Sequence, residues 1–292
     1  MAKTPRASVA DVVCASISTA VSRLDANEPA LWTERDPDEA VHQARIATRR
    51  LRSDLHTLRD FVDGDWATNL RGELRWLGAE LGAVRDVEVL RERLWSHAAD
   101  LPDTEVDTAR TAIQRLETDH AAARADLLAA LRSERYAQLL HSLHDAVARP
   151  RLRPEAEHPA ADDLPRAVRP TWKKLRRAVD ELAARPTDES LHGVRIRAKR
   201  CRYACELTTP VIGSPARRLA VAVTRVQDVL GEHQDAVVAG AWLAKAAPEC
   251  TPPEAYALGM LAAGERDRAE RARSDFPAAW RKTRRKQLRA WL

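Results

Sequence analysis

The sequence has little glycine, few phenylalanines or tyrosines, and no long uninterrupted apolar stretch. Of its 292 residues, 10 are glycine, 3 are tyrosine and 2 are phenylalanine, whereas alanine, leucine and valine supply most of the apolar side chains. Strands favour β-branched and aromatic residues, and helices favour alanine and leucine. This composition therefore argues against a β-sheet protein and predicts long helices joined by short turns.

Signals for membranes, export, disulfides and structural zinc are also missing. No apolar run approaches the roughly 20 residues of a membrane-spanning helix, and Asp11 interrupts the first apolar stretch before it reaches signal-peptide length. No C-x-x-C pair is present, and Cys201 and Cys205 are spaced poorly for a disulfide on one helix. We therefore expect a cytoplasmic protein with small core cysteines, no membrane contact and no cofactor.

Two long segments of the chain are similar to each other. Residues 36–52, DPDEAVHQARIATRRLR, align without a gap with residues 186–202, PTDESLHGVRIRAKRCR. Residues 76–90 align in the same way with residues 225–239, after a register shift of one residue. A repeat of this spacing indicates two copies of one helical unit.

The predicted fold is all-α: two four-helix bundles from an internal duplication, related by a pseudo-twofold axis. We expect the first four-helix repeat over residues 1–150, a proline-rich linker over 151–163 and the second four-helix repeat over 164–292. The predicted helices cover 8–26, 36–62, 66–98 and 103–147 in the first copy, and 164–184, 187–208, 214–246 and 253–290 in the second.

The charges are nearly balanced in number but unevenly distributed along the chain. The 48 lysines and arginines exceed the 43 acidic residues by a net charge of +5. Three windows contain several basic residues and no acid: 166–177, 195–202 and 281–289. An anionic ligand responds to the local potential rather than to the total charge, so this grouping favours a polyanionic partner.

The repeated helix carries a row of cations on one face. With the period of an α-helix, one stripe in each copy holds a histidine and three cations: His42, Arg45, Arg49 and Arg52, then His192, Arg195, Lys199 and Arg202. Arg50 and Arg200 flank these stripes, and Tyr203 can offer a hydroxyl group. Like charges one turn apart repel each other, so the absence of acids suggests phosphate oxygens bound along the helix.

A structural explanation of the same stripes stays open. Arginine stems can cover the core while their guanidinium groups pair with acids on neighbouring helices, for which Asp86 and Asp235 are candidates. The helix at 164–184 has a further basic face, which is either part of the binding surface or simply solvated: Arg169, Lys173, Arg176 and Arg177, beside Arg166. Whether the basic tail at 281–292 contributes is equally open.

HQARIATRRLR and LHGVRIRAKRCRY resemble the two histidine-bearing helices of the CHAD family, the conserved histidine α-helical domain, and LGAVRDVEVL resembles its following helix. The resemblance covers nearly the whole chain. It implies two bundles with a basic surface between them that binds inorganic polyphosphate, and association with polyphosphate granules. Two departures are Cys201, where leucine is usual, and Gln234-Asp235 in place of the RD dipeptide.

Carried onto this sequence, the resemblance implies binding by the stripe residues and their flanking arginines, with Tyr203. His42 and His192 would donate hydrogen bonds, to an extent that grows as the pH falls through about 6.5. The triphosphate chemistry of CYTH-type domains, often fused to this family, is not transferred, because no such β-rich segment is present. We expect no enzyme.

The alternative is a nucleic-acid-binding or metal-binding helical adaptor. Specific nucleic-acid recognition is disfavoured, because neither stripe is accompanied by the Asn, Gln or stacking aromatics that read bases. His42 and His192 could share a metal ion across the pseudo-twofold axis, although no metal site and no catalytic group is predicted. The sequence does not identify a protein partner.

Overall fold

Residues 7–33 and 37–292 are described by a computed structural model. They form ten α-helices: α1 (Val9–Leu31), α2 (Pro37–Thr57), α3 (Gly64–Ala98), α4 (Asp103–Ile113), α5 (Leu116–Leu131), α6 (Glu134–Ala148), α7 (Ala160–Asp180), α8 (Asp188–Ile212), α9 (Ser214–Ala246) and α10 (Pro252–Thr283). Short 3-10 helices lie at Pro154–Glu157, Ala247–Glu249 and Lys286–Arg289. The all-α prediction is confirmed for these residues. None of their helices has the length and apolar character that crossing a membrane requires.

The single helix predicted over 103–147 is wrong, since α4, α5 and α6 occupy this range. Ser133 begins α6, because its hydroxyl accepts a hydrogen bond from the backbone N–H of Tyr136 at 3.3 Å. The same hydroxyl donates to the carbonyl of Ala130 at 2.6 Å, which closes the end of α5. A serine in this position is an ordinary capping signal, and the alanine- and leucine-rich surroundings hid it.

Other helix ends differ less from the prediction. α2 ends at Thr57 rather than at 62, and α7 begins at Ala160, inside the range predicted as a linker. α10 ends at Thr283, and the following residues turn back. Leu288, Trp291 and Leu292 then pack against the core of α7, α8 and α9. The basic tail is therefore part of the folded chain.

The buried side chains form three clusters. The first joins α1, α2, α3, α5 and α6 and also includes the start of α7 and Leu207 of α8. The second joins α7, α8, α9 and the end of α10. The third packs the carboxyl-terminal ends of α3 and α9 against α4 and α10, through side chains such as Leu94, Leu243 and Leu261. Because α3 and α9 run from their own cluster into the shared one, they fix the two parts of the chain relative to each other.

The cysteines meet the expectation only in part. Cys201 and Cys205 are buried in the second cluster, whereas Cys14 is exposed and Cys250 is half-buried. Cys14 lies on α1 directly after the buried Val13 and is itself exposed. Only the two cysteines of α8 therefore act as small core residues.

A buried ionic network ties α3, α9 and α10 together. Glu265 on α10 is fully buried and accepts a hydrogen bond from Arg93 Nε on α3 at 2.8 Å. His97 Nδ1 lies 2.5 Å from the same carboxylate, and Arg93 also pairs with Glu232 on α9 at 2.7 Å. A buried charge is tolerated when it is paired in this way. The network therefore holds α3 and α9 in the positions from which they contact α2 and α8.

Candidate functional site

The cationic stripes of α2 and α8 are called here the first ridge (His42, Arg45, Arg49, Arg52) and the second ridge (His192, Arg195, Lys199, Arg202). On the first ridge, Arg45 Nη2 donates to Asp86 Oδ1 on α3 at 2.9 Å. Gly82 lies one turn earlier on α3, and a Cβ at this position would be 3.6 Å from Arg45 Nε. The glycine leaves room for the guanidinium group to lie against α3, and the aspartate orients it.

The second ridge is held in the same way by α9. Arg195 Nη2 lies 3.5 Å from Asp235 Oδ1, and a Cβ on Gly231 would be 3.9 Å from Arg195 Nε. The glycine and aspartate of the LG-x-x-x-D pattern are therefore a cradle for one arginine in each copy. The predicted pairing of Asp86 and Asp235 with the ridges is present in the structure.

Arg49 of the first ridge points towards the second ridge, where its guanidinium group approaches Tyr203 on α8. Its Nε atom is buried without a hydrogen-bond partner, and its guanidinium carbon is 5.7 Å from the centroid of the Tyr203 ring. Burial is the main cause that lowers the pKa of Arg49; Tyr203 opposes it, and the nearby charges of Arg45, Arg202 and Arg195 add to it. Cations of α2 and α8 thus meet at this point.

Lys199 faces the same point from α8. Burial lowers its pKa to about 8, and the charges of Arg195, Arg49 and Arg45 lower it further, while Asp235 opposes them. A lysine in such surroundings is poorly stabilised in its charged form. An anion placed between Lys199 and Arg49 would be strongly attracted by both.

The row of cations continues past Arg49 to two arginines of α3 that the sequence analysis did not predict. Burial lowers the pKa of Arg52, and the charges of Arg75, Arg200 and Arg71 lower it further. Arg71 and Arg75 are one helical turn apart, a spacing that could have been recognised in the sequence as a basic helix face. The intervening Glu73, which bonds Arg135 outside this row, concealed them from a search for acid-free windows.

His56 and Lys174 extend the row to α7. Burial lowers the pKa of His56 to about 4, and surrounding cations, among them Arg71 and Lys174, lower it further. His56 Nδ1 is buried without a hydrogen-bond partner. At neutral pH this neutral imidazole can still donate a hydrogen bond to an anion. We call the whole surface the basic trough, with Arg45, Arg49, Arg52, Arg195, Lys199 and Arg200 along its length.

Comparison with known proteins identifies the family of this fold. The family model of the CHAD domain matches residues 15–244. The chain belongs to the CHAD family. It is 32% identical over 287 residues to uncharacterized proteins from two strains of Mycobacterium tuberculosis, a match that covers 94% of this chain and 53% of each relative. The chain thus spans about half the length of these relatives.

Two solved structures share the CHAD architecture. PptA from Streptomyces chartreusis superposes with a TM-score of 0.76 at 26% identity, over 94% of this chain and 100% of that chain. The CHAD domain from the plant Ricinus communis superposes with a TM-score of 0.75 at 25% identity, over 97% of this chain and 94% of that chain. The helical fold is therefore that of the family.

Two further predicted site residues of this CHAD domain, Arg50 and Arg202, share one acidic partner, Glu206. Arg50 bonds Glu206, and its Nε lies 3.4 Å from Asp54. Arg202 donates to Glu206 at 2.8 Å and to Gln227 at 2.7 Å. The alternative explanation, in which arginines pair with acids, applies to this end of the trough. An anion there would have to compete with Glu206.

Tyr203 does not present its hydroxyl group to a ligand as the sequence predicted. The side chain is buried, and its hydroxyl has no hydrogen-bond partner among the described residues. The guanidinium carbons of Arg202, Arg50 and Arg49 lie 4.6, 5.3 and 5.7 Å from its ring centroid. The aromatic ring, rather than the hydroxyl, is the part that contacts the cations.

The basic face of α7 lies on exposed surface. Arg176 is 3.8 Å from Asp180, Arg177 bonds Glu181 at 2.6 Å, and Arg169 donates to the backbone oxygen of Leu292. Lys173 is exposed. Since it is Lys174 whose charge acts on His56, the contribution of Arg169, Lys173, Arg176 and Arg177 to binding stays a prediction.

The two repeated histidines are half-buried at corresponding positions of the ridges. Burial lowers the pKa of His42, and the charge of Arg85 lowers it further while Glu39 opposes it. His42 therefore becomes protonated at a pH below about 6.5, the ordinary pKa of histidine. The sequence predicted protonation as the pH falls through about 6.5. His192 Nδ1 is buried without a hydrogen-bond partner.

Proposed function

We propose that this protein binds inorganic polyphosphate in the basic trough between α2 and α8. The observation that carries the proposal is the meeting of Arg49 and Lys199, two half-buried cations from different ridges that lie among further arginines. Phosphate oxygens accept charge-assisted hydrogen bonds from such groups. A chain of phosphates can place one anion at each successive turn of the two helices.

A linear polyanion suits this surface better than a nucleic-acid duplex. The central cation is recessed, since Arg49 Nε is inaccessible to solvent, whereas a duplex presents its phosphates on a broad convex surface. The ridges also lack the Asn and Gln side chains that read base edges. We keep nucleic-acid binding as the competing function in the test.

The proposed activity is binding alone, with association with polyphosphate granules as its consequence. The trough presents guanidinium, ammonium and imidazole groups that can hold phosphates, and its half-buried arginines remain charged at neutral pH. Incubation with polyphosphate should therefore release no inorganic phosphate. Release that disappears together with trough cations would contradict this part of the proposal.

We also propose that the ridges are equivalents produced by an internal duplication of one helical unit, and that the two copies are related by a pseudo-twofold axis. The matched cradles support this idea, because Gly82 and Asp86 surround Arg45 as Gly231 and Asp235 surround Arg195. Aligned sequence segments carry both cradles. Two equivalent ridges would give a linear ligand similar contacts on either side.

The test is a titration with fluorescently labelled polyphosphate of defined length, in competition with duplex DNA at equal phosphate concentration. Charge reversal in the double variant R49E/K199E should abolish binding while circular dichroism shows unchanged helicity. The control R149E/R197E makes the same charge change at two exposed positions, one just after the end of α6 and one on α8, and should bind as the wild type does. Wild-type affinity should fall steeply with added salt, because the contacts are ionic.

Three results would contradict the proposal. The first is binding that survives in R49E/K199E, and the second is equal loss in the control. The third is duplex DNA that displaces polyphosphate at equal phosphate concentration, which would favour the nucleic-acid function instead.

A further inference from the structure

Three side chains with metal-ligating atoms converge beside the first ridge, and each belongs to a different helix. Asp38 lies in the first turn of α2, Glu88 on α3 and His120 near the start of α5. One ligand atom of each lies within 4.8 Å of the others, and His120 Nε2 is 3.3 Å from Glu88 Oε1. The Glu88 side chain is only 1% exposed, so water does little to stabilise its charge.

The two carboxyl groups create a local need for positive charge. Carboxylates this close do not both ionise without a cation or a proton near them. Arg85 Nη1 donates to Glu88 Oε2 at 3.1 Å and leaves Oε1 facing His120. Burial raises the pKa of Glu88; Arg85 opposes this effect, and the Asp38 carboxyl group adds to it. Arg85 therefore compensates the charge of Glu88, and among the described residues no hydrogen bond joins it to Asp38.

A second arginine near the pair is engaged elsewhere. Arg124 lies close enough for Asp38 and Glu88 to act on its pKa. Its Nη2 group, however, donates to the backbone carbonyls of Leu31 at 2.5 Å and Thr33 at 3.3 Å. Arg124 thus contributes positive potential, and its hydrogen bonds hold the end of α1.

The second copy offers an internal comparison. Asp188 aligns with Asp38, and Val237 aligns with Glu88. Arg273 on α10 donates to Asp188 at 2.6 Å. The second copy therefore surrounds its aspartate with a cation and an imidazole, since His233 Nε2 lies 3.2 Å from Asp188 Oδ1. The first copy differs from it by the buried carboxylate of Glu88.

We propose that Asp38, Glu88 and His120 bind a divalent first-row metal ion such as Mn²⁺ or Zn²⁺. One imidazole nitrogen and two carboxylate oxygens suit these ions, whereas Ca²⁺ prefers a larger all-oxygen set. Two ligands at about 2.1 Å from one ion lie about 3–4 Å apart. The spacing of His120 and Glu88 is already in this range, and an oxygen of Asp38 lies within 4.8 Å of both ligand atoms.

The metal site adjoins the His42 end of the first ridge. Asp38 precedes His42 by one turn of α2, and Arg85, which bonds Glu88, lies near enough to His42 to lower its pKa. Three protein ligands leave coordination positions open, and a phosphate oxygen can fill one of them. This coupling to phosphate rests on the proposed function, whereas the metal site does not.

The first experiment uses the full chain, treated with a chelator and titrated with Mn²⁺, with the free ion followed by electron paramagnetic resonance. We expect one site per chain, weakened about tenfold or more by each of D38N, E88Q and H120Q. The control E92Q removes the same charge from the exposed surface of α3 one turn further on and should leave Mn²⁺ affinity unchanged. Circular dichroism checks that each variant is folded.

The metal site would be overturned if no Mn²⁺ bound at saturating concentrations of the ion. It would also be overturned if the three substitutions left the affinities for Mn²⁺ and Zn²⁺ unchanged. A second titration, with polyphosphate added to metal-free and metal-loaded protein, tests the coupling. Tighter binding of polyphosphate to the loaded wild type, lost in H120Q, supports it, and equal affinities overturn it. Failure of polyphosphate binding with Mn²⁺ binding intact would contradict only the proposed function.

Discussion

The guanidinium carbon of Arg49 on α2 lies 5.7 Å from the centroid of the Tyr203 ring on α8. The face of an aromatic ring attracts a cation, so this contact partly offsets the repulsion that Arg49 experiences from neighbouring arginines. Burial of its Nε without a hydrogen-bond partner remains unfavourable. An anion bound at this point would relieve the repulsion.

Replacement of Arg49 by glutamine should therefore act in opposite directions on stability and on binding. We expect R49Q to leave the free energy of unfolding unchanged or raised, because a crowded, poorly paired charge is removed. Polyphosphate affinity should fall by about tenfold or more, the loss expected for one hydrogen bond to a charged group. Chemical denaturation and ligand titration measure the two effects. R197Q, at an exposed position of α8, is the control and should change neither, and a large loss of stability in R49Q would contradict the prediction.

The pH dependence of binding should identify Lys199. Because the pKa of this lysine is lowered to about 8, it loses its proton as the pH rises through that value, and wild-type affinity for polyphosphate should fall there. K199R stays charged and should lose this step. The titration is done between about pH 7 and 9.5, below the ordinary pKa of lysine, at constant ionic strength. An identical pH profile for K199R would exclude Lys199 as the titrating group.

The same lowered pKa predicts the sign of a stability change. Between about pH 8 and 10.4 the unfolded chain binds a proton at Lys199 that the folded chain does not. The contribution of this residue to the free energy of unfolding therefore rises with pH across that interval. Denaturation of wild type and K199R at several pH values measures the difference. A contribution that falls with pH would contradict the lowered pKa.

The cradle glycines predict a graded response to side-chain size. G82A places a Cβ at 3.6 Å from Arg45 Nε, an ordinary contact, and should stabilise α3 by about 0.5–1 kcal/mol through helix propensity. Its polyphosphate affinity should be unchanged. G82L should push the guanidinium group of Arg45 away from Asp86 and weaken binding. Denaturation and titration of both variants test this order, and equal behaviour of alanine and leucine would argue against the cradle.

The ionic network at the junction of α3, α9 and α10 should matter for stability rather than for binding. E265A leaves Arg93 and His97 without their buried partner, and we expect a loss of about 3 kcal/mol in the free energy of unfolding. E270A, which removes an exposed carboxylate 3.3 Å from Arg273, should cost at most about 1 kcal/mol. Below its unfolding temperature, E265A should bind polyphosphate normally. A stability equal to that of E270A would contradict the role given to the buried network.

The ridges and their aspartate partners could be predicted from sequence because they depend on local periodicity. A helix places His42, Arg45, Arg49 and Arg52 on one face whatever the rest of the chain does, and the aligned repeat identifies Asp86 and Asp235. The resemblance to the CHAD family added the ligand, which charge alone does not specify.

The remaining part of the trough depends on tertiary contacts that periodicity does not contain. Arg71 joins the trough only because α3 turns that face towards α2, and Glu206 reaches Arg50 only because α8 packs beside α2. The three-helix segment at α4–α6 was missed for a different reason. Helix propensity over alanine and leucine outweighed one capping serine, Ser133, in the prediction.

Asp86 and Asp235 are largely exposed, with side-chain accessibilities of 70% and 41%, yet each is the present partner of a ridge arginine. An anion that binds Arg45 or Arg195 must take over from a carboxylate that is already in place, so binding at these two arginines is an exchange and not a simple addition. A chloride or a single phosphate gains little from such a swap. A polymer that displaces both aspartates in one event releases them to water together, and this favours long chains over the small anions that outnumber them.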